Sequence, residues 1–381
     1  MAAPSTGRIA LLDTFRFTAV TLALLQHVSL QYGLDRNLAG ASLVWKLVAR
    51  GATPSLLVIF GMMLEIAYAR NFTASRNIVV QRMLYRVVLC YAAFVMSSFF
   101  ASAAGKDNLI SFFGSFMLLA LVPYSNILAT YIFLLVIGIG VIALRLKGGF
   151  AVLLGLVGLI WTVDRLYIDA TSPWPFPFAQ LGGGLLGWGN QLGPSALHGL
   201  TLVVAGMALA AAVFSREPSR GAWATVVAML LAAAGILAEA IWNSGARQMA
   251  VGLADFGAYR ASNDIIYYAY GLCTATAYLV LAAVLHLVAP SRLRPLITEL
   301  GSQTLAYFVV GNAVLLMLPT FLVTNGVGSA IIIAVLLPTF WICTLLWLSW
   351  ARSSRLLARA ERSVRAGLET WTPRAVGAVR P

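Results

Sequence analysis

The sequence predicts an all-α, polytopic membrane helix bundle, and three observations carry that expectation. Of the 381 residues 60% are hydrophobic and only 10% are charged, with mean hydropathy +0.87, whereas a soluble chain carries about a quarter charged residues. Several apolar runs approach the roughly 20 residues that a helix needs to cross a bilayer, and none alternates like a membrane barrel. The third observation is the distribution of basic residues between successive loops. About 10 spanning helices plus one short re-entrant or interfacial helix are expected, in a transmembrane domain 1–350 followed by a basic amphipathic tail 351–381.

The first run, Ile9–Tyr32, carries Asp13, Arg16 and His27 inside an otherwise apolar helix. An ionisable side chain in hydrocarbon costs at least a few kcal/mol, so it faces the bundle interior and marks a pathway or a site. Asp13 and Arg16 stand at i, i+3, the spacing of an ion pair along a helix. Arg16 and His27 share a face but lie roughly 16 Å apart along the axis. The alternative is a structural pair at the membrane edge and a packed histidine. No signal peptide is expected, because Asp13 and Arg16 interrupt the run and no small-residue cleavage site follows.

Thr53–Ala69 is the second segment, with Glu65 as a carboxylate awaiting an arginine partner or handling protons. Asn77–Ala101 is the third, opening with Arg82 and Arg86 at i, i+4. Arginine forks suit phosphate, while helix-end arginines also snorkel to the interface. Leu109–Val122 is short for a span, and runs of 10–14 residues are more often re-entrant or interfacial. Ile127–Leu144 and a shorter Phe150–Val163 follow. Asp164–Ser195 is a long connection in which Pro173, Pro175 and Pro177 alternate with Trp174, Phe176 and Phe178. It reads as a loop over the mouth of the bundle, offering aromatic faces to a sugar-like acceptor or forming an interfacial belt. Ala196–Phe214, Trp223–Trp242, Ile265–Val288, a run beginning at Leu300 and Ser329–Trp350 complete the spans.

Charge and cysteine usage narrow the class. The net charge is +13, yet seven of the 26 Lys and Arg residues fall in the last 31 positions, which suits an anionic membrane surface better than nucleic acid. Cys90, Cys273 and Cys343 all lie in apolar segments, against a disulfide framework or zinc site. Three histidines and no HExxH argue against a metal. With Leu109–Val122 not spanning, sixteen basic residues fall on one side and seven on the other. The positive-inside rule then places both termini in the cytoplasm.

Several of these stretches resemble one family. Leu12-Asp13, then Arg16, ten residues and His27, is similar to the first-helix signature of membrane acyltransferase family 3. Gly61, Tyr68 and Arg70, with Phe60 where a serine is expected, resemble the second helix of its glucan biosynthesis protein C (OpgC) branch, a group of glucan succinyltransferases. Arg82 and Arg86, the run ILATYIFLLV and the run LGSQTLAYFVVGN resemble it too. Gly311 stands where many family members have histidine and this branch has glycine. The resemblance implies an acyl-CoA-dependent O-acyltransferase of the bacterial inner membrane, drawing on succinyl-CoA or acetyl-CoA, with a glycan or glycolipid hydroxyl as acceptor. It implies His27 as general base, Asp13 and Arg16 beside it in the catalytic set, and Arg16, Arg82 and Arg86 as contacts for coenzyme A. The rival reading of the same buried charges is a transporter or flippase for an anionic solute, which predicts repeats or paired broken helices.

Overall fold

The computed structural model describes residues 9–377 except 169–171, 173, 176–177, 190–192, 216–218 and 256. Arg8, Arg216 and, in the Pro/aromatic connection, Pro173, Phe176 and Pro177 lie outside the described residues, which are helical and contain no strand.

In chain order the helices are α1 (Ala10–Tyr32), a 3-10 stretch Leu34–Ala41, α2 (Ser42–Arg50), α3 (Ala52–Met63), a π-helical turn Leu64–Ala69 and α4 (Arg70–Phe72). Next come α5 (Arg76–Ala103), α6 (Leu109–Ser115), α7 (Asn126–Tyr167), α8 (Ala179–Leu186), α9 (Ala196–Val213) and α10 (Arg220–Ser244). The last are α11 (Ala246–Ala254), α12 (Ile265–Val288), α13 (Arg294–Ser302), α14 (Thr304–Met317), α15 (Gly326–Ser353) and α16 (Arg355–Gly377). Seven helices among the described residues are long and apolar enough to cross a membrane, or up to eight if the bent α13–α14 pair is one span. The chain is therefore a multi-pass integral membrane protein.

Breaks occur where the backbone demands them. Gly33 ends α1 in the left-handed region, φ 65°, the usual glycine stop. Gly149, φ 68° with ψ −162°, kinks α7 between the two apolar segments read from the sequence. Leu109–Val122 is helical only over α6, and the chain then turns through Leu118 and Tyr124, both at positive φ. The run beginning at Leu300 belongs to two helices bent by 90° around Gln303.

Burial orders the bundle. The apolar window of α9 is 83% buried and that of α15 only 22%, so α9 is a central post and α15 a peripheral strut. Glycines let α9 approach α3: a Cβ on Gly61 would lie 2.0 Å from the Val203 carbonyl oxygen, and one on Gly206 would lie 2.0 Å from that of Val58. The two backbones touch where any other residue would hold them apart. Side chains such as Leu231, Trp242, Ile331 and Leu346 are exposed, as expected of surfaces solvated by lipid tails rather than water.

Two further contacts matter for the site. Gly301 packs α13 against α1, since a Cβ there would lie 1.9 Å from the Asp13 carbonyl oxygen. The tail helix α16 lies along α5, with the Arg365 guanidinium 4.9 Å from the Tyr85 ring centroid.

Candidate functional site

The interior charges of α1 open into two adjoining chambers. The first, of about 240 Å³, is lined by Arg16, Tyr68, Arg86, Tyr131 and residues 302–306 around the α13–α14 bend, among others. The second, of about 310 Å³, is lined by His27, Gln26, Tyr124, Asn126 and Arg260, among others. Leu56, Ile127 and Phe308 line both, forming an apolar collar between them. The helical geometry read from the sequence sends Arg16 and His27 to opposite sides of that collar.

Behind the lining of the Arg16 chamber, Asp13 Oδ1 accepts from Arg16 Nη1 at 3.0 Å, the expected i, i+3 pair. Asp13 is buried, and the pair with Arg16 offsets part of the cost of burying its polar side chain. Arg86 joins Arg16 in the lining. Arg82, one turn earlier, lies outside it, and both α5 arginines are exposed. Tyr68 faces the same space from the π-turn, and wide turns of this kind recur at functional sites. Glu65, on that turn, accepts from Arg145 Nη2 at 3.1 Å, the arginine partner that the sequence asked for. Phe60 stacks on Tyr131 with centroids 5.3 Å apart, and the Tyr131 hydroxyl donates to the Leu56 carbonyl at 2.7 Å. Arg70 has a structural task, donating to the Phe214 carbonyl at 2.9 Å near the end of α9.

The His27 chamber is built from distant parts of the chain. His27 Nδ1 lies 2.8 Å from Asn312 Oδ1. The Asn312 amide is oriented by its other end, where Nδ2 donates to the Tyr124 carbonyl in a long bond of 3.4 Å. A carbonyl oxygen only accepts, so Nδ1 carries the proton and Nε2 keeps its lone pair. The ring stacks on Tyr124 at 4.6 Å and meets Phe308 edge-on at 6.0 Å. Tyr124 holds φ 62°, a left-handed conformation that costs a non-glycine residue about 1–3 kcal/mol and persists where the surroundings impose it. Here those surroundings include the His27 ring.

Gly311 explains how Asn312 reaches the histidine. A Cβ at 311 would lie 2.6 Å from a Leu24 methyl, so the glycine lets α14 settle on α1 one residue before the fully buried Asn312. Lys106 secures the other end of α14. Its Nζ donates to the Leu315 and Leu318 carbonyls at 3.1 and 2.8 Å and to Gln31 Oε1 at 3.0 Å. A cation there satisfies carbonyls that the helix end leaves open.

Another constellation has the composition of a nucleophilic triad. Ser195 Oγ is 2.7 Å from His198 Nδ1, and His198 Nε2 is 2.9 Å from Asp164 Oδ1 without the alignment of a hydrogen bond. Ser195 and His198 are fully buried. Ser195 Oγ also caps α9, accepting from the His198 N–H at 3.2 Å. The serine has no open face to offer a substrate.

Among the described residues no group of three or more His, Cys, Asp or Glu side chains is placed to hold a metal. Comparison with family profiles, curated proteins and solved structures returned no match. The reading of the site therefore stands on its own residues. Sequence reasoning singled out Arg16, His27 and Arg86, which line the two chambers, Asp13, which pairs with Arg16, and Arg82, one turn before Arg86. It missed Asn312, Tyr124 and Arg260, although an asparagine inside the apolar run TLAYFVVGNAVLLM was a signal for the first.

Proposed function

We propose that the chain is an integral membrane O-acyltransferase that moves an acyl group from acyl-CoA to a hydroxyl of a glycan or glycolipid. The observation that carries this reading is His27: Nδ1 is engaged by Asn312 while Nε2 is left as a base, in a chamber that shares its collar with one lined by two arginines. The likeness of Arg16–His27, Arg82–Arg86 and the LGSQTLAYFVVGN run to membrane acyltransferase family 3, and to its OpgC branch, points the same way. Succinyl-CoA and acetyl-CoA are the donors of choice to try.

The chemistry follows from the division of charge. Arg16 and Arg86, with Arg82 at the mouth, receive the phosphates of coenzyme A, and Asp13 holds Arg16 in place. The thioester reaches the collar, and the acceptor hydroxyl approaches from the His27 side. The hydroxyl oxygen adds to the acyl carbonyl carbon as His27 Nε2 takes its proton. Collapse of the tetrahedral intermediate restores the C=O bond, breaks the C–S bond and expels the thiolate, which recovers the proton from His27. Counting α1 and both halves of α7 gives ten spans in this reading, in a bacterial inner membrane with both termini cytoplasmic.

The deciding experiment pairs acyl-CoA thermal shift with a transfer assay on detergent-purified protein, wild type beside His27→Ala. Stabilisation of both proteins with transfer by the wild type alone supports the reading. A folded wild type that neither binds nor transfers from any acyl-CoA sinks it. The second reading, a transporter or flippase of an anionic solute, is favoured by one observation: the broken α13–α14 helix at the wall of the Arg16 chamber, a device transporters use at solute sites. Solute uptake into proteoliposomes without acyl-CoA would select it.

A further inference from the structure

When a hydroxyl adds to a thioester, the carbonyl oxygen gains a full negative charge. Preorganised donors in a water-poor site are usually the largest single contribution to stabilising it. Beside the His27 imidazole, the one charged side chain that lines the His27 chamber among the described residues is Arg260. Both side chains line the same space.

Arg260 sits on the turn 257–264 between α11 and α12, and that turn is pinned from several sides. Gly193 packs so closely on it that a Cβ would lie 2.4 Å from the Arg260 carbonyl oxygen. Asn263, at φ 55°, accepts at Oδ1 from the Ser195 N–H and from the Tyr268 hydroxyl, both at 2.8 Å. Asp264 accepts from the Ile266 N–H at 2.8 Å to cap α12, and its own N–H returns to the Tyr259 carbonyl at 2.9 Å. Ser195 is in turn fixed by His198, and His198 by Asp164 at the end of α7. The chain Asp164–His198–Ser195–Asn263, buried in its last three members, thus ties α7 and α9 to the turn that carries the guanidinium.

We propose that Arg260 is the second catalytic residue of the His27 chamber, donating hydrogen bonds from its guanidinium to the oxyanion that forms on the acyl carbonyl. The Asp164–His198–Ser195 network positions the turn beneath it and forms no acyl-enzyme. The inference rests on the acyltransferase reading. Arg260 transfers no proton and forms no covalent bond; it binds the oxygen while that oxygen is charged and releases it when the C=O bond returns.

The test is steady-state transfer by the full chain in detergent, with acyl-CoA thermal shift to establish that each variant folds and binds donor. With His27→Ala inactive, Arg260→Gln is expected to lower kcat by about 10²–10³-fold while leaving KM for acyl-CoA within about threefold. Arg260→Lys recovers part of that loss, because the charge remains and the planar fork does not. Ser195→Ala lowers kcat only in part at unchanged KM, and Ser195→Thr restores it. Arg260→Gln with kcat near wild type, beside an inactive His27→Ala, overturns the inference and leaves the acyltransferase reading standing. A change in KM alone also overturns it, since Arg260 would then bind a ground-state anion. Loss in folded Ser195→Ala as complete as in His27→Ala makes the serine a nucleophile and overturns the positioning role. A folded wild type that transfers nothing removes the underlying reading and the inference with it.

Discussion

The Arg16 chamber and the His27 chamber meet at the same collar but are built on opposite plans. The first draws one arginine from each of two helices, Arg16 on α1, paired with Asp13 one turn away, and Arg86 on α5. The second holds an imidazole between Tyr124 and Asn312, a partner 285 positions away. A site assembled from one helix face at a time tolerates small shifts, because guanidinium groups on long stems reach a phosphate from many positions. An imidazole with one committed nitrogen does not. The contrast assigns affinity to the first chamber and rate to the second, and substitutions should separate along that line.

The largest separation is expected at His27. His27→Ala should cost about 10²–10⁴-fold in kcat, the usual worth of a general base, with the thermal shift by acyl-CoA preserved. Loss of the shift together with activity would merge the chambers into one functional unit and break the comparison.

Arg86→Ala tests the other side. A hydrogen bond to a charged group is worth about 1.5–3 kcal/mol, so KM for acyl-CoA should rise about tenfold or more, with kcat little changed. Arg82, outside the lining, should matter less, within about threefold on the scale of an exposed charge pair. Raising the salt should shrink both effects. Equal effects at 82 and 86 would place the phosphates at the mouth rather than inside.

The same contrast decides what the sequence could reveal. The charged face of α1 and the apolar segments are local or periodic patterns, legible from spacing alone, whereas Glu65 showed only that it needed a partner and not that Arg145, 80 positions on, supplies it. Helix ends followed suit: Gly33 and the Gly148–Gly149 pair sit where the apolar runs stop. Three features were hidden because they depend on approach between distant segments. The 90° bend at Gln303 falls inside a run read as one span. Arg260 looked like one more polar-loop cation until Gly193 and Asn263 fixed its turn. The Asp164–His198–Ser195 chain draws on a helix end and a loop that no periodicity connects.

Asn312 gives a finer test of the rate side. Asn312→Ala should lower kcat about tenfold or more while KM for donor holds, because the hydrogen bond on Nδ1 selects the tautomer that leaves Nε2 basic. Asn312→Asp restores an acceptor for Nδ1 at the expense of a buried charge, and should recover activity only in part. Unchanged kcat in Asn312→Ala would mean that Tyr124 and Phe308 orient the ring unaided.

The smallest expected effect is the sharpest probe of how the two chambers are coupled. Gly311→Ala adds one methyl that meets Leu24 side-chain atoms at 2.6 and 2.8 Å. Overpacking of this sort costs typically about 1–3 kcal/mol, and the clash is with the tip of a rotatable side chain, so the lower end is expected. Thermal melting should therefore fall by a few degrees at most, without loss of the fold. The displaced α14 carries Asn312 away from His27, while Gly301 keeps α13 seated on Asp13 beyond the bend at Gln303. The Arg16 chamber should feel little of it. A fall in kcat with unchanged donor affinity would show that the bend insulates one chamber from the other, whereas a matching loss of affinity would show α13 and α14 moving as one body.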